Sequence, residues 1–191
     1  ITPDHFTPST ACILQNKLEC IAPAFDLNAA CSGFVYAMTV AGQFVRNGVA
    51  RNALVVGAEI MSRTIDPNDL KTYPLFGDGA GAVLLQPDSR EADASGFVSY
   101  CLGAEGAGGP QLVIPGGGSR LPLSSKGIAC GDQFLKMDGR SVFKWAVRII
   151  RESCQDVLTH AGLSVNDIAA WVLHQANIRI IDAAVDEFKL D

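Results

Sequence analysis

The sequence lacks any run approaching the roughly 18 uninterrupted apolar residues of a membrane-spanning helix, and no charged-then-apolar leader opens it. It also lacks a long basic run. With a net charge of −5 and a pI near 5.1, nothing global draws the chain to nucleic acid or to an anionic membrane. Its six cysteines, Cys12, Cys20, Cys31, Cys101, Cys130 and Cys154, show no C-x-x-C pair and no repeated spacing, so no metal site and no disulfide framework is signalled. A reducing cytoplasm is the expected home. There is no G-K-S/T and no strand, G-x-G-x-x-G, helix context, so Gly77-Asp78-Gly79-Ala80-Gly81 does not signal a phosphate loop. A tight turn close to an active centre is expected there instead.

What is present is a core-rich chain. At 191 residues, 48% hydrophobic and 18% charged, it has enough for one full domain and too little for two generous ones. Ile1 is not a natural start, and Phe188-Lys189-Leu190-Asp191 breaks off inside a helical pattern without a stop. Both observations make the sequence read as the middle of a longer protein.

The order of elements is that of an α/β protein. Thr7-Pro8-Ser9 supplies a cap and a first-turn proline for a short helix over Thr10 to Leu18. Ala24 to Leu27 reads as a strand, Gly33 to Asn47 as a helix apolar on nearly every face, and Ala53 to Ala58 as a strand covered on both faces. Gly81 to Leu85 and Gly96 to Tyr100 read as two strands around the polar link Asp88 to Asp93, and Gly103 to Cys130 as a long glycine-rich loop. Val142, Trp145, Ala146, Ile149, Ile150, Cys154, Val157, Leu158 and Ala161 recur at helical spacing, with Gly162 as the stop. Ser164 to Asp167 reads as a capping box, Ala170 to Leu173 as a short buried strand, and a helix is expected from about Ile178.

Two side chains stand out by position. Cys31 lies where a strand turns into a helix, so its sulfur would face unpaired N–H groups and the positive end of a dipole, which favours thiolate. A cysteine can equally serve as a small buried hydrophobe. His174 is the one histidine of three at the exit of a short strand, where ligands of α/β sheets gather; a structural, backbone-bonded role is its alternative. Their separation of 143 positions matches a papain-like protease, but Cys31-Ser32-Gly33-Phe34 lacks that family's C-G-S/A-C-W surroundings.

Asp26 to Phe34, Phe76-Gly77-Asp78-Gly79-Ala80-Gly81 and His174-Gln175-Ala176-Asn177-Ile178-Arg179 together resemble the β-ketoacyl-acyl-carrier-protein synthase III family, across nearly the whole chain. That resemblance implies an α/β thiolase-like fold, here the later part of the first βαβαβ half and the earlier part of the second. Residues 1–102 would carry the nucleophile, 103–134 the connecting glycine-rich loop and 135–191 the histidine. It further implies an acyltransferase that condenses a short acyl-coenzyme A primer with malonyl-acyl carrier protein, with no metal and no cofactor beyond these substrates. Cys31 would hold the acyl group and offer its N–H to an oxyanion hole, and His174 would donate to the developing enolate with a family asparagine expected beyond Asp191.

The same resemblance assigns Gln175, Ala176, Asn177, Ile178 and Arg179, with Lys144, to contact with acyl carrier protein or coenzyme A phosphates. It assigns Met61, Phe76, Leu135 and Met137 to the acyl pocket, places Phe6 near a homodimer interface, and finds Leu70 and Lys71 where some members carry an adenine-contacting arginine. The alternatives are another thiolase-fold condensing enzyme, making polyketide starters or joining long acyl chains, and a non-catalytic or truncated thiolase-fold partner.

Overall fold

The computed structural model describes residues 1–88 and 96–189, so part of the expected polar link, 89–93, and the last two residues lie outside the described residues. The chain divides into two compact units: residues 1–61 with 78–96, and residues 62–77 with 97–191.

The first unit is built on a hairpin-like pair. β1 (Ala53–Ile60) and β2 (Asp78–Leu85) run antiparallel in unbroken register from Ala53 opposite Leu85 to Ile60 opposite Asp78. Asp78 to Gly81 therefore belong to the strand itself, and the expected glycine turn is absent: none of Gly77, Gly79 and Gly81 has a positive φ. Pleating puts residues 55 and 57 on the face that meets α2 (Gly33–Arg46), where Val55 is buried and a Cβ at Gly57 would stand 3.1 Å from the Phe34 ring. The opposite face stays open, with Leu54 at 51% and Val56 at 40% exposure. Both-sided burial of β1 is thus not observed, because this unit lays a helix on one face only.

α2 starts and stops where the apolar run does. Asn47 closes it, returning its side-chain amide to the Gln43 carbonyl at 2.8 Å, and Gly48 follows at φ +70°. Val35 and Phe44 remain exposed, so α2 is half-covered rather than enclosed. α1 (Thr10–Lys17) is capped by Ser9, whose hydroxyl accepts the Cys12 N–H; Pro8 precedes the cap instead of entering the first turn.

The second unit is organised by α4 (Gly139–Ala161), the longest element and the clearest periodic signal. Asp138 caps it through the Ser141 N–H and hydroxyl, and Gly162 ends it in the left-handed conformation at φ +67°. α5 (Ile178–Phe188) packs on α4 with Ile180 and Ala184 buried. Its last turn is held by Phe188 stacking on Trp171, centroids 5.5 Å apart. The capping box of Ser164 and Asp167 forms as expected, on a single 3₁₀ turn.

Within the expected loop lie β3 (Leu112–Val113), which pairs with β4 (Lys136–Met137), and α3 (Ser125–Ala129). Gly116 is required there: its N–H donates to the Asp132 carbonyl at 2.8 Å, and a Cβ would come within 2.9 Å of Leu123 and 3.1 Å of that carbonyl oxygen. Three expected strands do not form: 24–27, 96–100 and 170–173 carry no ladder among the described residues, and Val172 is 96% exposed. Apolar β-type composition makes a strand only where a neighbour supplies backbone partners.

Candidate functional site

The segment leading to Cys31 is tied down before it reaches the sulfur. The Asp26 carboxylate accepts the backbone N–H groups of Thr10 and Ala11, each at 2.8 Å, and Cys12 Sγ lies 3.3 Å from the Ala24 carbonyl oxygen. Phe25 meets Phe44 of α2 edge to face at 6.3 Å. Side-chain anchors thus do for this segment what a strand ladder was expected to do.

The turn itself is sharp. Asn28 Oδ1 accepts the N–H of Ala30 at 3.0 Å, and Ala30 takes φ +48°, a left-handed conformation uncommon for a residue with a Cβ. Ala30–Ser32 then form one 3₁₀ turn, closed by the Ser32 N–H on the Ala29 carbonyl, and α2 follows at Gly33. Cys31 is exposed in the middle of that turn. No side chain caps α2 and no acidic residue sits in its first turn, so the positive end of its dipole is left open beside the cysteine. Met61, the other expected site residue of this unit, is buried at 8% exposure just after β1.

In the second unit His174 is exposed on the irregular stretch before α5. Asn177 ends that stretch by capping α5, its Oδ1 accepting the Arg179 N–H at 2.9 Å. Gln175, Ala176, Ile178 and Arg179 are exposed around this cap, and Lys144 is exposed on α4. Leu135 is buried, with its N–H on the Thr64 carbonyl at 2.8 Å; Met137 is half-buried opposite Leu112, and Phe76 is half-buried after the 3₁₀ turn Tyr73–Leu75. Phe6 and Leu70 are both largely exposed.

Further along α4, Arg148 is occupied by two carboxylates, Glu105 at 2.6 Å and Glu152 at 3.0 Å, and Trp145 Nε1 donates to the same Glu105 at 2.9 Å. The Arg148 hydrogen bond, then that from Trp145, holds the Glu105 carboxyl below the usual range. Lys144 carries no such ion pair, so it and Arg179 are the cations of the expected contact surface without a carboxylate in salt-bridge range among the described residues. The described residues contain no group of His, Cys, Asp and Glu able to hold a metal, and no helix among them is long and apolar enough to cross a membrane.

Sequence reasoning did not find the Asn28–Ala30 turn or the Asp26 anchor. The signal for the first was an asparagine two residues ahead of the residue that must turn, the ordinary spacing of an Asx turn. The second joins residues 16 apart in sequence and leaves no local pattern.

Residues 25–106 match the family model described as 3-Oxoacyl-[acyl-carrier-protein (ACP)] synthase III. The whole chain is 53% identical to the β-ketoacyl-[acyl-carrier-protein] synthase III of Rhodopirellula baltica, over 205 aligned residues that make up 59% of that protein. The crystal structure of the synthase III from Thermus thermophilus superposes on all of this chain with a TM-score of 0.87 at 40% identity, the match covering 57% of that structure. A second crystal structure of a 3-oxoacyl-(acyl-carrier-protein) synthase III gives a TM-score of 0.91 at 32% identity over 99% of this chain and 59% of the other. The chain therefore spans less than two thirds of the length of these relatives, and its α/β fold is thiolase-like, as they are.

Proposed function

Since this chain belongs to the β-ketoacyl-[acyl-carrier-protein] synthase III family, we propose that its protein condenses a short acyl-coenzyme A primer with malonyl-acyl carrier protein, giving 3-oxoacyl-acyl carrier protein and opening fatty-acid synthesis. The observation that carries this reading is the full-chain identity to a synthase III, combined with an exposed cysteine on a strained turn ahead of an uncapped helix. In the first half-reaction the Cys31 sulfur attacks the thioester carbonyl, and coenzyme A leaves as its thiol. The Cys31 and α2 N–H groups face the oxygen that gains charge. In the second, the malonyl group loses carbon dioxide, and the resulting carbanion attacks the Cys31 thioester and expels the sulfur. His174 donates a hydrogen bond to the enolate oxygen as decarboxylation proceeds.

Lys144 and Arg179 offer positive charge to an acidic carrier or to coenzyme A phosphates, and Gln175 to Ile178 directly precede Arg179 in sequence. Met61, Phe76, Leu135 and Met137 are the residues this reading assigns to the primer's acyl chain. The reading calls for no cofactor beyond the two thioesters, for a homodimer, and for a cytoplasmic setting where free thiols persist.

The test is direct. The purified full-length protein is incubated with acetyl-coenzyme A, and the added mass is located by peptide mapping. The acetyl group is expected on the Cys31 peptide and absent from Cys31→Ala. Acetyl on another residue, or none on the parent protein, overturns the reading.

A further inference from the structure

We propose that Asn28 is a positioning residue for Cys31: by accepting the Ala30 N–H it holds Ala30 in the left-handed conformation from which the sulfur is presented. This rests on Cys31 being the acyl acceptor. The Oδ1 to N distance is 3.0 Å and φ of Ala30 is +48°, while the residue on its other side, Ala29, is at φ −135° and ψ 31°. Alanine pays a steric penalty in this region that glycine does not, because its Cβ crowds the following carbonyl. Something has to hold it there. Among the described residues the Asn28 side chain is the group bonded to the Ala30 N–H.

The torsions of Ala30 set the direction of everything after it. Cys31 is the next residue, and α2 begins two residues beyond Ala30's own 3₁₀ neighbour, so little chain exists in which an error could be absorbed. Without the Asn28 acceptor, Ala30 would relax towards ordinary negative φ and the sulfur would point elsewhere for most of the time. Only the minority of molecules still in the original geometry would react, and the observed rate would fall by that fraction.

Four proteins decide the matter: the parent, Asn28→Ala, Ala30→Gly, and the double variant. The rate at which Cys31 takes up acetyl from limiting acetyl-coenzyme A is followed by intact mass, well below the melting transition. Asn28→Ala is expected to be slower by about tenfold, the usual scale of the left-handed penalty for a residue with a Cβ. Ala30→Gly alone should match the parent, and the double variant should recover most of the loss, since glycine adopts the turn unaided. Affinity for coenzyme A should be the same in all four. A parental rate in Asn28→Ala, or a slow rate that Ala30→Gly does not restore, overturns the proposal; a merely structural role would lower the melting temperature and leave the rate of the folded protein alone.

Should Asn28→Ala fail to fold, Asn28→Ser serves, because its hydroxyl can accept the same N–H more weakly. It must then be slower than the parent and be restored by Ala30→Gly, or the proposal falls. A parent that takes no acetyl on Cys31 instead sinks the functional reading. The ranking of the same variants towards iodoacetamide at Cys31 then still decides the role of Asn28.

Discussion

Asp26 and Thr10 are joined across 16 residues of chain by a carboxylate that accepts the Thr10 N–H at 2.8 Å. Its other oxygen accepts the Ala11 N–H at the same distance, so two of the orphan donors that open α1 are satisfied from the segment leading to Cys31. With Ser9 taking the Cys12 N–H, the helix start is closed by two side chains.

Asp26→Ala removes both acceptors and should cost about 1–2 kcal/mol, the upper part of the range for a lost helix cap. Asp26→Asn, which keeps one carbonyl oxygen, should fall between. Urea unfolding of the three proteins gives the ranking. Equal midpoints for Asp26→Ala and the parent would show that this contact does not hold the segment in place.

Acid should act on the second unit through Glu105. Its carboxyl is depressed by the hydrogen bond from Arg148 and then by that from Trp145, relative to an ordinary value of 4.5. A depressed carboxylate contributes its stability above the unfolded value and loses it as pH falls through the folded one. The linkage between α4 and Glu105 should therefore persist down to about pH 4.5 and weaken below it. Trp145 reports the event by fluorescence in a Trp171→Phe background, with a midpoint under that value. Glu105→Gln should abolish the transition, and a midpoint at or above 4.5 would mean the Arg148 contact is not made in solution.

The six cysteines should separate by reactivity. Burial, then the nearby Asp156 charge, raises the Cys101 thiol, and burial, then Cys101, raises Cys154, while Cys12, Cys20, Cys31 and Cys130 are exposed. Cys101 Sγ also donates to the Ser153 carbonyl at 3.5 Å, which further favours its protonated form. At neutral pH, iodoacetamide should label the four exposed positions first and reach Cys101 and Cys154 only on unfolding, as read by peptide mapping. A raised thiol contributes stability below its unfolded value and loses it as pH climbs from about 9.0 through the folded one, so alkaline softening should lessen in Cys154→Ala. Early labelling of Cys154 would contradict the packing of α4.

α1, α2, α4 and α5 were legible in the sequence because each carries its own signals, whereas α3 was hidden in the glycine-rich stretch. Asp138 and Gly162 bracket α4, Asn177 starts α5 and Asn47 ends α2, and every one of these acts within a few residues of chain. Strands depend on partners that local pattern cannot name. β1 and β2 found each other, whereas 24–27 and 170–173 have the right composition and no ladder among the described residues. The same limit applies to the site. Cys31 and His174 were legible as residue types at the approach to a helix, but the Asn28 to Ala30 bond that shapes the turn appears only once torsions are known.

His174→Ala should divide the two half-reactions. The imidazole is exposed on an irregular stretch anchored by the Trp171 stack and the Asn177 cap, neither of which involves it, so its loss should leave the melting temperature close to that of the parent. In the proposed chemistry the acetyl transfer to Cys31 draws on backbone N–H groups at the start of α2, and decarboxylation draws on His174. Losing one preorganised donor to a developing oxyanion commonly slows the step that uses it by about 10²–10³. Malonyl decarboxylation should therefore drop on that scale while acetylation of Cys31 falls far less, measured as carbon dioxide release against acetyl uptake on the same sample. Equal loss of both would make His174 a partner of the cysteine from the outset, and the division of labour between the two units would have to be redrawn.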